Sequence, residues 1–157
     1  MRLILVTGPP GAGKTSVLTA LADALSDDDV PHAAVEVEAL AWTHPALDDE
    51  RRLAHVRSVC AGHALVLLAD TVETPDDLAA LIEATGAGET FVVWLEAPPD
   101  TLAARIVARE PASWSGTEAL VAHARSMARV PGADLYLSTD GARAEDIAAR
   151  IRETARL

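Results

Sequence analysis

The chain has one cysteine in 157 residues, Cys60, which excludes an internal disulfide and a cysteine-built zinc site. A lone thiol among apolar neighbours reads as a small buried residue near a helix end. Lysine is just as scarce: of 13 basic residues, Lys14 is the only lysine and the rest are arginines. Half the residues are hydrophobic, yet no uninterrupted apolar run approaches the roughly 20 residues that a membrane helix requires. An excess of positive charge is missing as well. With 24 acids and a formal charge of −11, the chain lacks the basic face of a phosphate-backbone binder, which argues against nucleic acid as partner. No HxE or CxxC pattern and no GxSxG elbow occurs, so metallohydrolase and serine hydrolase chemistry find no support.

What is present begins at the apolar run Leu3-Ile4-Leu5-Val6-Thr7, followed by Gly8-Pro9-Pro10-Gly11-Ala12-Gly13-Lys14-Thr15 and then Ser16-Val17-Leu18. The central block fits the P-loop pattern GxxxxGK[ST] at every position, and a strand before it and a helix after it supply the required context. Glycines let backbone N–H groups close around a polyphosphate where a Cβ would block the approach. The helix that follows aims its N-terminal dipole at the same anion. The expected nucleotide-binding set is therefore Gly8, Pro9, Pro10, Gly11, Ala12, Gly13, Lys14, Thr15 and Ser16. Lys14 is expected to reach the β and γ phosphates of ATP, and the Thr15 hydroxyl to ligate Mg²⁺. A lysine retained where every other cation is arginine supports that role, because a compact ammonium and a planar guanidinium are not interchangeable.

Strand and helix alternate along the whole length. The periodicities predict strands near 2–7, 33–37, 64–69, 90–96 and 134–138, with helices near 14–26, 48–61, 75–85, 99–109, 117 onward and 145–155. Thr74 before Pro75-Asp76-Asp77 has the spelling of an N-cap, and Ser115-Gly116-Thr117-Glu118 that of a capping box. Five strands joined by helical crossovers imply an α/β fold, a three-layer parallel sheet with helices on both faces, formed by residues 1–157 as one domain. A strand running straight into a P-loop is not a signal peptide, so the expected location is cytoplasmic.

In such sheets ligands bind at the carboxyl ends of the strands. After the second strand stand Glu36 and Glu38, two residues apart and on one side while the chain stays extended. The third strand ends in Asp70, as in a Walker B strand, and Asp70 is expected to hold Mg²⁺ opposite Thr15. After the fourth strand, Arg105 and Arg109 lie four residues apart on one helix face, and Arg125 follows on the next helix. Arginines closing over a γ-phosphate would neutralise its equatorial oxygens and exclude water.

Order, size and motif placement resemble the small P-loop kinases similar to nucleoside-monophosphate kinases, a group that includes shikimate kinase, chloramphenicol phosphotransferase and adenylylsulfate kinase. The resemblance implies a sheet order of 2-3-1-4-5 and transfer of the γ-phosphoryl group of ATP to a small acceptor. It implies an acid pair after the second strand, here Glu36 and Glu38, and a short lid near 109–116. It also places Asp140 and Gly141, after the last strand, beside the adenine. The glycine-rich acceptor loop that shikimate kinase carries after its third strand is replaced here by Asp70-Thr71-Val72-Glu73, which disfavours shikimate.

Residues 38–52 are expected to form much of the acceptor pocket, with Trp42 and His44 the side chains best suited to stack on or hydrogen-bond a small polar molecule. Glu38, Trp42, His44 and Arg125 are the expected acceptor contacts. Glu38 ahead of Glu36 would take the proton of the acceptor hydroxyl, while Lys14 and Arg109 stabilise the transferred charge. The expected partner is a small molecule, with neither membrane nor nucleic acid involved, and the chain works as a monomer or homodimer. Two alternatives stand beside this reading: a P-loop NTPase acting as a switch or assembly factor on a protein partner, and a nucleotide-binding module without catalysis.

Overall fold

The computed structural model describes residues 1–40, 44 and 47–157. In chain order the elements are β1 (Arg2–Thr7), α1 (Lys14–Asp27), β2 (Ala33–Glu36), α2 (Val37–Leu40), α3 (Asp49–Cys60), β3 (Leu65–Ala69), α4 (Pro75–Thr85), β4 (Glu89–Glu96), α5 (Pro99–Arg109), α6 (Thr117–Ser126), β5 (Leu135–Ser138) and α7 (Ala144–Ala155). The strands form one parallel sheet in the order β2-β3-β1-β4-β5, as the family resemblance implies.

β1 runs down the middle, with Ile4 opposite Leu67 on one side and Phe91 on the other. Alternate side chains of this apolar strand enter two separate cores. Ile4 and Val6 pack with Val17, Leu21 and Leu25 of α1 and with Ile106, Ile147 and Ile151 of α5 and α7. Leu3 and Leu5 pack on the opposite face with Val56 and Cys60 of α3 and Leu78 and Leu81 of α4. Cys60 is fully buried there, as a lone apolar thiol should be. The chain thus leaves β1 toward one face through α1 and leaves the neighbouring β3 toward the other through α4. A crevice opens between the carboxyl ends of those two strands.

Local signals explain most helix boundaries. Thr74 Oγ1 accepts from Asp77 N and Asp77 Oδ2 accepts from Thr74 N, both at 3.1 Å, closing a capping box at the start of α4. Asp48 caps α3 through Arg51 N at 2.9 Å. Two expectations are corrected. β2 ends at Glu36 and the chain coils into α2, because Val37 is drawn completely into the α3–α4 core; Glu36 and Glu38 therefore do not share one extended strand. The capping box expected at Ser115 does not form either. α6 starts after Gly116 with no side-chain cap, while Thr117 Oγ1 donates to Trp114 O at 3.1 Å and the indole of Trp114 covers Gly116 so closely that a Cβ there would collide with it. No helix among the described residues is long and apolar enough to cross a membrane.

Candidate active site

Residues 8–13 join the end of β1 to α1 as a tight loop. A Cβ on Gly8 would run into the carbonyl oxygen of Leu95, so the loop can lie against β4 only with glycine at this position. Gly13 is the N-cap of α1 in the left-handed region, at φ 91°, and makes no side-chain cap. Nothing lies within 4 Å of the place a Cβ would occupy on it. The 14-residue helix thus begins with no side-chain cap at the positive end of its dipole, which is the arrangement an anion requires.

Lys14 Nζ folds back over this loop and donates to Gly8 O at 3.1 Å and Pro9 O at 3.4 Å. It stands 4.0 Å from Glu38 Oε1. Burial lowers the pKa of this ammonium; Glu38 and Asp70 oppose the shift, Arg109 adds to it, and Glu36 opposes it more weakly. Next to Lys14, the Thr15 hydroxyl donates to Glu36 Oε1. Glu38, on the helical turn that follows β2, accepts from Thr71 Oγ1 at 2.7 Å. The two glutamates thus reach adjacent P-loop side chains from different elements, and the expected acid pair is assembled by the turn into α2 rather than by strand alternation.

Lys14, Thr15 and Glu38 line a cleft of about 770 Å³, together with Thr71, Glu73, Arg105, Arg109, Glu110, Trp114, Leu120 and His123. Arg109 projects into it beside Lys14, held by Glu110 at 2.6 Å. Arg105, which also lines the cleft, is tied into the fold. Its Nη1 donates to Gly11 O at 3.2 Å and Thr139 Oγ1 at 2.9 Å, and its Nη2 donates to Thr139 O at 2.8 Å. Thr139 in turn donates to Ala12 O at 3.0 Å, so Arg105 and Thr139 together tie the P-loop to the end of β5. Beside this tie is a smaller recess of about 280 Å³ lined by Gly13, Ser16, Val17, Thr139 and Ala142. Asp140 and Gly141 adjoin the recess without lining it, and Asp140 accepts from Thr101 Oγ1 at 2.9 Å instead.

Asp70 lies at the end of β3, almost entirely buried, but both its oxygens are engaged away from Thr15. Oδ1 accepts from Thr71 N at 2.9 Å and Oδ2 from Arg52 Nη1 at 2.7 Å. Burial raises its pKa above the usual carboxylate range, against the opposing pull of Arg52. Arg125 is corrected as an acceptor contact: it pairs with Asp100 at 2.9 Å, off the cleft. Two residues along a helix from His123 is about 200° around it, so a face that turns Leu120 and His123 inward turns Arg125 away. His44 is exposed at a bend, and Trp42 lies outside the described residues.

Sequence reasoning missed Arg52, Thr71, Glu73, Thr139 and His123. Thr71 and Glu73 lie in the loop after the carboxyl end of β3, where position alone points to function. Arg52, Thr139 and His123 carry no local pattern and are brought in only by packing.

A central parallel strand, a glycine-rich loop and a helix N-terminus, set in a sheet of this order, define the P-loop kinase fold. The chain belongs to the AAA domain family, whose sequence profile its residues 3–131 match. No curated protein sequence matches the chain. Among solved structures it resembles the Mycobacterium tuberculosis APS kinase in complex with AMPPNP and APS, at 17% identity and TM-score 0.72, covering 99% of this chain and 98% of that one. It also resembles a sugar kinase from Janibacter sp. HTCC2649 at 18% identity and TM-score 0.69, covering 98% and 93%. Shikimate kinase from Acinetobacter baumannii in complex with shikimate aligns at 20% identity and TM-score 0.61, covering 98% and 92%. These are members of the small P-loop kinase group expected from the sequence, and at such identities the likeness is one of fold.

Proposed function

We propose that the protein is an ATP·Mg²⁺-dependent phosphotransferase acting on a small hydroxylated molecule. The observation that carries this reading is the convergence of Lys14, Thr15 and Glu38 in one cleft at the uncapped N-terminus of α1, with Glu36 hydrogen-bonded to Thr15 beside it. A nucleotide switch needs the cation and the hydroxyl; a carboxylate standing on the far side of the lysine is what an acceptor hydroxyl needs.

The Thr15 hydroxyl and the Glu36 carboxylate form a hard oxygen pair that suits magnesium, and they would hold it, directly or through water. Asp70, with both oxygens engaged, is assigned instead to orienting Arg52. Magnesium, when bound, supplies neutralisation of the charge shared by the β and γ phosphates.

The remaining work falls to the chain. The N–H groups at the start of α1 receive the phosphates, and Lys14 exchanges the carbonyls of Gly8 and Pro9 for phosphate oxygens. Glu38 accepts the acceptor's hydroxyl proton as that oxygen bonds to the γ-phosphorus and the bond to the β-phosphate oxygen breaks, releasing ADP. Arg109 leaves Glu110 to meet the charge on the transferred group. Trp114, on the segment between α5 and α6, lines the cleft and would help exclude water when it is filled.

The test is ATP turnover across a panel of nucleosides, sugars, hydroxy acids and hydroxylated amines, with mass detection of product, for the wild type and Lys14→Ala. A phosphorylated acceptor that forms with the wild type and disappears in the variant supports the reading. Turnover stimulated by a protein and by none of the small molecules would replace it with the switch.

A further inference from the structure

From the hydrogen bonds that converge on Glu38, we propose that Thr71 is a positioning residue for phosphoryl transfer: its hydroxyl fixes the Glu38 carboxylate by one oxygen and leaves the other for the acceptor's proton. This rests on the phosphotransferase reading, in which Glu38 takes that proton, and names what holds the base in place.

Glu38 has little of its own to hold it. α2 is four residues long, and although Val37 is completely buried, the Glu38 side chain beside it is 54% exposed. A glutamate turns about three side-chain bonds, so an exposed one samples many rotamers unless a partner selects among them. Thr71 is that partner: its Oγ1 donates to Glu38 Oε1 at 2.7 Å, across 33 positions of chain. Lys14 Nζ, at 4.0 Å, faces the same oxygen. Both contacts fall on Oε1, so Oε2 is the oxygen left to receive a proton.

A hydroxyl can select a rotamer only if it is itself fixed, and the loop after β3 fixes this one from both sides. Before it stands the buried Asp70, whose Oδ1 accepts from Thr71 N at 2.9 Å while Arg52 on α3 holds Oδ2 at 2.7 Å. Asp70 N donates in turn to Val6 O at 3.3 Å. After it stands the buried Val72, whose N donates at 3.1 Å to the hydroxyl of Thr7 at the end of β1. The backbone of Thr71 is thereby pinned to β1 and α3, and its branched Cβ restricts χ1. A threonine here delivers a rigid donor; a serine would deliver a looser one and a valine none. Hydrogen bonds to an ionised acceptor are among the stronger ones. This one keeps Glu38 beside Lys14, where the acceptor oxygen must arrive, and a base displaced by an ångström is enough to slow the transfer.

The experiment is a double-variant cycle on Thr71→Val and Glu38→Gln. It reads phosphate release from ATP·Mg²⁺ with water as acceptor, and phosphorylated product by mass with the panel of nucleosides, sugars, hydroxy acids and hydroxylated amines, alongside thermal melts. Thr71→Val is expected to lower kcat about tenfold with the KM for ATP and the melting temperature nearly unchanged, and Thr71→Ser to recover most of that loss. In the Glu38→Gln background, Thr71→Val is expected to lower the rate no further, because it acts through a carboxylate that is no longer there. Losses that multiply in the double variant would mean that Thr71 acts on substrate or fold independently of Glu38, and would overturn the inference; so would an unchanged kcat in Thr71→Val. Should Thr71→Val fail to fold, Thr71→Ala carries the same cycle. Phosphate release that obeys the cycle, with no phosphorylated acceptor anywhere in the panel, would instead remove the phosphotransferase reading and leave Thr71 positioning Glu38 for the attack of water.

Discussion

Lys14 Nζ stands 4.0 Å from Glu38 Oε1 across the mouth of the cleft, one residue carried by the first helix and the other by the turn after the second strand. Glu38 is the strongest single influence holding the lysine charged against the burial that disfavours it.

Replacing the two groups separately should therefore separate their roles. Glu38→Gln is expected to lower kcat by about 10²-fold with little change in the KM for ATP, whereas Lys14→Ala is expected to lower it by about 10³-fold. Phosphoryl transfer depends more on positioning and charge than on the base, so steady-state kinetics that rank Glu38 above Lys14 would contradict the assignment.

The pairing of Thr15 with Glu36 makes a statement about the metal. Glu36→Gln is expected to raise the magnesium concentration needed for half-maximal turnover by about tenfold. Asp70→Asn should shift it much less, because both Asp70 oxygens already serve Arg52 and Thr71. A magnesium titration of both variants, with EDTA-treated wild type as the zero point, checks the order.

Asp70→Asn should instead act on stability. It removes a charged hydrogen bond between a buried carboxylate and a partly exposed Arg52, worth about 1–3 kcal/mol. The pH profile carries a second signature. Burial holds the folded-state pKa of Asp70 above its ordinary value of 3.8. As pH rises from there, the unfolded chain releases this proton before the folded chain does, so this group's contribution to stability falls until the folded-state pKa is passed. Denaturant melts across the acid range should show a shallower decline in Asp70→Asn than in wild type.

Arg105 makes three hydrogen bonds that hold Gly11 and Thr139 together. Arg105→Ala is expected to cost about 2–3 kcal/mol of stability. It should also weaken the thermal shift produced by a non-hydrolysable ATP analogue, since the loop loses its anchor to the end of β5. Unchanged melting with a lost catalytic rate would return Arg105 to the role of phosphate clamp.

The parts of this molecule that rest on near neighbours were legible in the chain. A P-loop is eight consecutive residues whose glycines answer to local backbone geometry, and the capping box at Thr74 is built within four residues. The apolar strands and the amphipathic helices α1, α5 and α7 follow from periods of two and 3.6. The acid pair was found by position, although the turn that delivers it was not: β2 stops one residue early because the other core claims Val37.

What the chain alone determined is thus the class of fold and the nucleotide end of the cleft, because both are written in contiguous residues and short-range sterics. Which charges meet was decided only in three dimensions. Arg52 reaches Asp70 across 18 positions and Arg105 reaches Thr139 across 34. His123 on α6 reaches Glu73 in the loop before α4, and Arg125 turns from the cleft to Asp100. Ion pairs of this kind have no sequence period. They depend on how helices lie on the sheet, and so the acceptor side takes its character from packing.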